Sequence, residues 1–344
     1  MIYNVTCNTD DNYAQHCCAM LCSLFENNKE YSFYIHILSH SLSVKNTKQI
    51  EDLCNRYNQN VKIYDVNESK LEGVKFRENR PLTKAAYYRI LLPEILGDNI
   101  EKILYLDCDI IILDKVVDIF DIEIENYALA ACIDTSPYNS NHRNQLSLSL
   151  TDLAFCSGVM LINLEYWRTN NAQEKLLEFS KRDRKPVYLH DQDSLNFVFK
   201  NQWFILPPKW NRGVMSFFQI HPREKPYDFE EYDQAPKLIH YASNVAKPWY
   251  DVSFPERKYY LKYLYLSGFE SVKFDKRSFK QKIVVYEASL IYFLNKYIRP
   301  FVPNIIEIVL KDIFDLIIML GLLVISPSKL KNRILKKRIR KNNL

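Results

Sequence analysis

The sequence predicts an α/β protein, in which a mostly parallel sheet is flanked by helices and followed by a helical C-terminal extension. Three observations lead to that class. Short apolar runs alternate with longer amphipathic stretches over the first part of the chain, the pattern of βαβ units. The 344 residues are 47% apolar, enough for a substantial core. Beyond about residue 266 the alternation stops and the chain reads as helix, ending in a basic tail.

The elements follow in order. Ile2 to Cys7 reads as a strand, with a helix from about Tyr13 to Asn27, a strand from Ser32 to Ser39, a helix from Lys45 to Asn58 and a strand from Val61 to Val66. Pro81 to Leu92 carries Ala85, Ala86, Arg89 and Ile90 at helical spacing. Lys102 to Leu106 is a strand running into Asp107, and Ile110 to Leu113, Ala128 to Ile133 and Gly158 to Asn163 are further strands. Helices are expected from Ala172 to Lys181 and from Asp191 to Phe199. The stretch from Gln202 to Trp249, rich in proline and aromatic residues, reads as loops with short strands.

The extension has its own signature. Lys280 to Arg299 is amphipathic and is punctuated by Pro300 and Pro303. Ile305 to Ile325 is apolar, with Glu307, Lys311, Asp312 and Asp315 on one helical face. The uncharged run from 316 to 325 is shorter than the roughly 20 residues that span a bilayer. Lys329 to Leu344 adds eight Lys/Arg and no acid, and without those eight the formal charge falls from +5 to −3. An amphipathic helix beside a local basic cluster suits the surface of an anionic membrane. The alternative is a helix packed on the main domain with a solvated end. Nothing suggests a nucleic-acid partner, which would want its basic surface near the site.

Several function classes are unsupported. Only six glycines occur, and neither G-x-G-x-x-G nor G-x-x-x-x-G-K-[ST] is present. The eight cysteines all lie in the first half and include no C-x-x-C pair, so they are expected to be reduced structural thiols in a reducing compartment. The N-terminus lacks the basic start and apolar run of a secretory signal, which predicts a cytoplasmic protein.

Ligands of parallel sheets gather at the carboxyl edge of the strands. There, Leu104-Tyr105-Leu106 delivers Asp107-Cys108-Asp109, two carboxylates separated by one residue. Such a pair can reach one divalent cation and leave room for phosphate oxygens. By itself the pattern is common in loops.

Further stretches make the reading specific. They are Asn8-Thr9-Asp10-Asp11-Asn12-Tyr13, Tyr88-Arg89, Tyr105 to Asp109, Ala131-Cys132-Ile133-Asp134, Phe155 to Leu164, His190-Asp191-Gln192-Asp193, and His240-Tyr241 to Lys247-Pro248-Trp249. Together, and in this order over residues 1 to about 250, the chain resembles glycosyltransferase family 8, which includes bacterial lipopolysaccharide α-galactosyl- and α-glucosyltransferases and glycogenin. The resemblance implies a GT-A fold over residues 1–265, a UDP-sugar donor, Mn²⁺ (or Mg²⁺) and retention of anomeric configuration. Residues 266–344 would be the helical extension.

The resemblance also implies roles. Asp107, Asp109 and His240 would hold the metal, and Lys247 would meet the diphosphate as a point charge. Asn8, Asp10, Asn12 and Tyr13 would contact the nucleotide, although Asp10 and Asn12 also suit an N-cap for the first helix. Arg89, Cys108, Asp134, Cys156, Ser157 and Ser243 fall at donor-binding positions. Asp191 and Gln192 are the catalytic candidates. Gln192 matches the position beside the anomeric carbon, and an amide is a poor nucleophile, which favours same-face substitution. Asp191 remains a possible carboxylate nucleophile, or simply the cap of the helix starting there.

Two departures bear on the substrate. Phe155-Cys156-Ser157-Gly158 has a thiol where the family has an asparagine. Ser243 replaces a glycine, and one extra residue separates His240 from Lys247. The expected function is therefore retaining transfer of a hexose, galactose or glucose, from a UDP-sugar to a glycan or glycolipid acceptor of a bacterial-type surface polysaccharide, on the inner face of the plasma membrane. The rival readings are metal-dependent nucleotidyl or phosphoryl transfer, and a non-catalytic nucleotide-sugar binder.

Overall fold

A computed structural model describes residues 1–75, 84–134, 138–183, 187–213, 234–242, 247–251, 256–270 and 272–278, with residues 254, 282, 285 and 286. The chain divides into two units. The first draws on Met1–Gly213, on the described part of Arg223–Ala242 and on Tyr259–Val272, and the second on described parts of Ser243–Lys258 and Lys273–Leu344.

The first unit is built on a seven-stranded sheet of order β3-β2-β1-β4-β7-β6-β8. Its strands are β1 Ile2–Asn8, β2 Ser32–Ser39, β3 Asn60–Asp65, β4 Lys102–Leu106, β6 Leu129–Ile133, β7 Phe155–Asn163 and β8 Trp203–Ile205. The pairs β3–β2, β2–β1, β1–β4 and β6–β8 are parallel, whereas β7 runs antiparallel to both β4 and β6. A three-stranded sheet of order β5-β10-β9 joins Ile110–Ile112, Leu238–His240 and Arg212–Gly213. The mostly parallel α/β sheet read from the alternation is present, with β7 longer than expected at its N-terminal end.

Helices α1 Ala14–Glu26 and α2 Val44–Arg56 make the first crossovers. Residues 14 to 25 of α1 are all buried, so this helix lies inside the unit and needs no polar face. It meets β5 and α2, and its end is tied by Asn27, whose amide nitrogen lies 2.8 Å from the Tyr263 hydroxyl. On α2, Ser43 is the N-cap, its hydroxyl accepting from Asn46 N–H. Later come α3 Leu92–Ile95, α4 Ser140–Gln145, α5 Leu164–Thr169, α6 Ala172–Lys181, α7 Asp191–Val198 and α8 Arg257–Ser267. One core cluster runs under the sheet from Leu38 to Trp203 and includes Tyr87, Tyr105, Phe155 and Trp167.

The helix expected over Pro81 to Leu92 is instead a 3-10 segment, Lys84–Leu91, leading into α3. Pro93 explains the break, because it cannot donate to the Arg89 carbonyl and its ring crowds that oxygen. Asn8 Nδ2 occupies another helical acceptor, the carbonyl of Ala85, at 2.9 Å.

In the second unit, Tyr250 bridges Asp275, Asp251 accepts from Arg277 N–H and Lys282, and the Arg277 guanidinium stacks on the Tyr250 ring. Among the described residues no helix is long and apolar enough to cross a membrane. The amphipathic and basic segments anticipated from Ile305 to Leu344 lie outside the described residues.

Candidate active site

The Asp107-Cys108-Asp109 strap connects the two sheets of the first unit. Asp107 N–H donates to the Gly158 carbonyl at 2.9 Å, extending β4, and the Asp109 carbonyl accepts from Tyr241 N–H at 2.9 Å, extending β5 toward β10. Antiparallel pairing sets His240 opposite Ile110, immediately after the strap. Two carboxylates and an imidazole distant in sequence are thereby fixed by backbone ladders.

Their ligating atoms lie within 4.8 Å of one another. His240 Nε2 is 3.2 Å from Asp109 Oδ1 and 3.8 Å from Asp107 Oδ2. On the other ring nitrogen, Nδ1, sits Asn211 Oδ1 at 3.0 Å, which fixes the ring and leaves Nε2 for the carboxylates. Cys156 Sγ is 3.9 Å from the same nitrogen. Burial opposes a charged imidazole here, but Asp109 holds it protonated well above the usual histidine range. Gly158 makes the arrangement possible: a Cβ at this position would overlap His240 Cε1 and stand 3.0 Å from Asp107 Oδ2.

Two oxygen ligands and one nitrogen, drawn into a pocket that a methyl group would fill, suit a divalent cation of hard or borderline character. A second convergent group, Cys7, Cys17 and Cys108, differs in kind. All three are buried, Cys7 and Cys17 sulfurs are 3.7 Å apart, and Cys108 Sγ donates to the Asn8 carbonyl. Hydrogen bonds within the trio act in both directions and burial raises all three thiols, so they stay protonated and pack the underside of the strap. All eight cysteines are free.

Arg89 joins the metal-type cluster to the next group. Its guanidinium lies over the Tyr105 ring at 4.0 Å, donates to Asp107 Oδ1 and to the Ser157 carbonyl at 2.7 Å each, and pairs with Asp191 Oδ2 at 3.2 Å. Burial weakens a charged group, yet Asp107 and Asp191 hold this one above the ordinary arginine range. Its buried charge is thus compensated on both sides, by Asp107 and by Asp191. Burial raises the Asp191 carboxyl to about 6, with Arg89 pulling the other way.

Gln192 is held from both sides. Its Oε1 accepts from Ser157 N–H (3.0 Å) and hydroxyl (3.3 Å), and its Nε2 donates to Asp134 Oδ2 (2.7 Å) and Tyr138 Oη (3.1 Å). The flipped amide would face a carboxylate with oxygen and an N–H with nitrogen, so the orientation is forced. Ser157 can serve both Gln192 and Arg89 because β7 loses register with β6 around Cys156 to Gly158, which releases its peptide groups from the ladder. Asp191 does not cap α7: His190 occupies that position, and Asp191 turns into the interior toward Arg89.

At the end of β1, Asp10 Oδ1 accepts from Asn12 N–H (2.9 Å) and Tyr13 N–H (3.0 Å). The capping role open to Asp10 is thus realised just ahead of α1, whose N-cap residue is Tyr13. Asn12 is exposed and makes no such cap. Asp10 Oδ2 and Asn8 Oδ1 are buried acceptors with no hydrogen-bond partner among the described residues. Tyr13 lies close enough for burial and Asp109 to push its phenol above the usual range.

The structure therefore brings together Asp107, Asp109, His240, Cys156, Arg89, Asp191, Ser157, Gln192 and Asp134, with Asn8 linked through Cys108. Lys247 belongs to the second unit, where it is buried with its ammonium 5.4 Å from the Trp249 ring centre. Ser243 lies outside the described residues. Sequence reasoning did not single out Gly158, Asn211, Tyr105 or Tyr138. Gly158 carried a signal, since an isolated glycine in a strand marks close approach; Asn211 carried none.

Comparison with known proteins agrees with this geometry. The model of glycosyl transferase family 8 matches residues 4–253. General stress protein A of Bacillus subtilis is 29% identical over 274 residues, covering 77% of this chain and 93% of its own. A lipopolysaccharide 1,2-glucosyltransferase of Escherichia coli is 25% identical, covering 80% and 81%, and the lipopolysaccharide 1,3-galactosyltransferase of Salmonella typhimurium is 23% identical, covering 75% and 77%. Among solved structures, the galactosyltransferase LgtC in complex with donor and acceptor sugar analogues superposes with a TM-score of 0.66 at 23% identity, over 77% of this chain and 95% of LgtC. That likeness establishes the GT-A fold, and with a family match over most of its length the chain belongs to glycosyl transferase family 8.

Proposed function

We propose that this glycosyltransferase transfers galactose or glucose from a UDP-sugar, with retention and with Mn²⁺ (or Mg²⁺), to a glycan or glycolipid acceptor of a surface polysaccharide. The observation that carries the reading is the convergence of Asp107, Asp109 and His240 within 4.8 Å, beside a buried Arg89 paired to both Asp107 and Asp191. The hexose and acceptor follow from the glucosyl- and galactosyltransferases among the relatives.

In this reading Asp107, Asp109 and His240 hold the cation, which when bound offsets charge on the departing diphosphate. Asn8, Asp10, Asn12 and Tyr13 receive the nucleoside, the free acceptors Asn8 Oδ1 and Asp10 Oδ2 taking its N–H and O–H groups. Arg89 sits between the Asp107 and Asp191 charges and holds Asp107 by its Oδ1, leaving Oδ2 toward His240. Cys156 and Ser157 line the donor, while the roles of Lys247 and Ser243 rest on the resemblance alone. Asp134 accepts from hydroxyls of the sugar, and the Gln192 carbonyl stabilises positive charge at the anomeric carbon. Gln192 is an amide, and Asp191 is neutralised by Arg89 in a buried site, so neither is a ready nucleophile. The step is therefore same-face substitution, the bond to the diphosphate breaking as the acceptor oxygen attacks and a donor phosphate oxygen taking its proton.

The test is acceptor-free hydrolysis of UDP-glucose, UDP-galactose and their N-acetyl forms with Mn²⁺. One hexose should release UDP, and Asp107→Ala or Asp109→Ala should lower the rate by about 100-fold or more. Release of pyrophosphate would indicate nucleotidyl transfer instead. No UDP from any donor, with nucleotide-sugar binding untouched by either substitution, overturns the proposal.

A further inference from the structure

We infer that Tyr138, held in place by a buried His142–Asp193 pair, positions the Gln192 amide for glycosyl transfer. Tyr138 is a positioning residue in this scheme, and the scheme rests on the reading of Gln192 given above.

The turn that delivers Asp191 and Gln192 is strained. His190 has φ 54° and ψ −121°, a backbone conformation suited to glycine. Such a residue costs on the order of 1–3 kcal/mol and persists only where its surroundings over-determine it. Asp193 supplies that constraint, because its Oδ2 accepts from the N–H groups of Tyr188 (3.3 Å) and Leu189 (3.1 Å), immediately before the strained residue. Gln192 N–H closes the turn on the Leu189 carbonyl at 3.1 Å.

Asp193 Oδ1 is 2.7 Å from His142 Nε2, and the two side chains are 0% and 4% exposed. The His142 ring lies between two tyrosines, 4.3 Å and 10° from Tyr138 and 4.2 Å and 19° from Tyr188. Asn141 on α4 donates to the Tyr188 hydroxyl at 2.8 Å. Tyr138 Oη donates to Asp134 Oδ2 at 3.0 Å and accepts from Gln192 Nε2 at 3.1 Å. The contacts thus form a closed circuit, from Asp193 through His142 and Tyr138 back to Gln192, the residue beside Asp193.

A closed circuit has a purpose that a packed core does not need. Asp134 and Gln192 are polar groups facing a site that must admit sugar hydroxyls, and an unsupported amide there would turn to suit whichever group arrives first. The Tyr138 hydroxyl, fixed through its stacked ring, holds both the carboxylate and the amide before the donor binds. The 138–146 segment acts in this way on the sugar-facing end of the site while leaving the nucleotide end alone.

The experiment is a double-mutant cycle on kcat using whichever UDP-hexose the enzyme accepts, with UDP affinity measured by calorimetry. Tyr138→Phe keeps the stack and removes the hydroxyl; His142→Gln keeps a donor for Asp193 and removes the stack. Each should lower kcat about tenfold, the value of one lost hydrogen bond in the transition state, with UDP affinity changed less than twofold. The double variant should be little worse than either single one, because both break the same circuit. If His142→Gln fails to fold, Tyr138→Phe decides alone. Unchanged kcat in Tyr138→Phe, or additive losses in the cycle, overturns the inference. Gln192→Ala separates this from the underlying reading: full activity in that variant removes the role of Gln192 itself, whereas a silent Tyr138→Phe beside an inactive Gln192→Ala removes only the positioning role.

Discussion

The clearest demand on a single residue falls on Gly158. Its neighbours in β7 are ordinary strand residues, but any side chain here collides with the imidazole of His240 and crowds Asp107. Gly158→Ala should leave most of the fold intact, because the clash involves one ring and one carboxylate rather than the sheet, at a cost of about 1–3 kcal/mol for overpacking. Displacing His240 removes the nitrogen from the oxygen-nitrogen set. Mn²⁺ affinity, read by calorimetry, should then fall at least tenfold, as it does when support of a ligating histidine is lost. Native-like Mn²⁺ affinity in a folded Gly158→Ala protein would show that His240 is not a ligand. The strap carboxylates and His240 were legible in the sequence because their residue types stand in a recurring order. Asn211 was not, since a lone asparagine in a loop becomes meaningful only when β9 and β10 pair and bring it onto Nδ1.

At the scale of elements, the sheet was readable because each strand was an apolar run bounded by turn residues, and because α1 and α2 had the length to cross over. Periodicity misread Lys84–Leu91, where the apolar spacing was right and the hydrogen bonding was not: side-chain ties from Asn8 and the obstruction at Pro93 replace the α-helical ladder. Spacing could not have shown the loss of register in β7 either, although it is what frees Ser157 for Arg89 and Gln192. The junction of this 3-10 segment with α7 makes a pH prediction. Burial raises Asp191 from its ordinary 3.8 to about 6 in the folded protein. A carboxyl with a raised folded value contributes stability that is complete below about 4 and lost as pH rises toward 6. The difference amounts to roughly 3 kcal/mol across that window. Asp191→Asn removes the titration. Without nucleotide or metal, the melting temperature of the parent should therefore decline relative to Asp191→Asn between pH 4 and 7, as read by thermal melts at each pH. A constant difference across the range would mean that Asp191 stays ionised throughout.

For the molecule as a whole, the proposed glycolipid acceptor raises the question of how the catalytic domain would reach a membrane surface. Formal charge without the last sixteen residues is −3, so the intact chain is basic only through its tail. Each Lys or Arg near an anionic bilayer contributes about 1 kcal/mol at low salt. Even half of the eight acting together gives a partition change of more than 100-fold, larger than the remaining acidic balance would oppose at a Debye length of roughly 10 Å. The apolar residues of Ile305 to Ile325 would add burial at the headgroup boundary without spanning it. We therefore expect the 344-residue chain to sediment with vesicles containing anionic lipid, to be released as salt is raised, and to ignore neutral vesicles. A chain ending at residue 304 should lose this binding while hydrolysing its UDP-sugar at an unchanged rate in solution, because none of the site residues lies beyond 247. Equal sedimentation of the two proteins would place the acceptor encounter elsewhere on the surface, and a loss of hydrolysis in the shortened chain would assign the segment to packing on the catalytic domain.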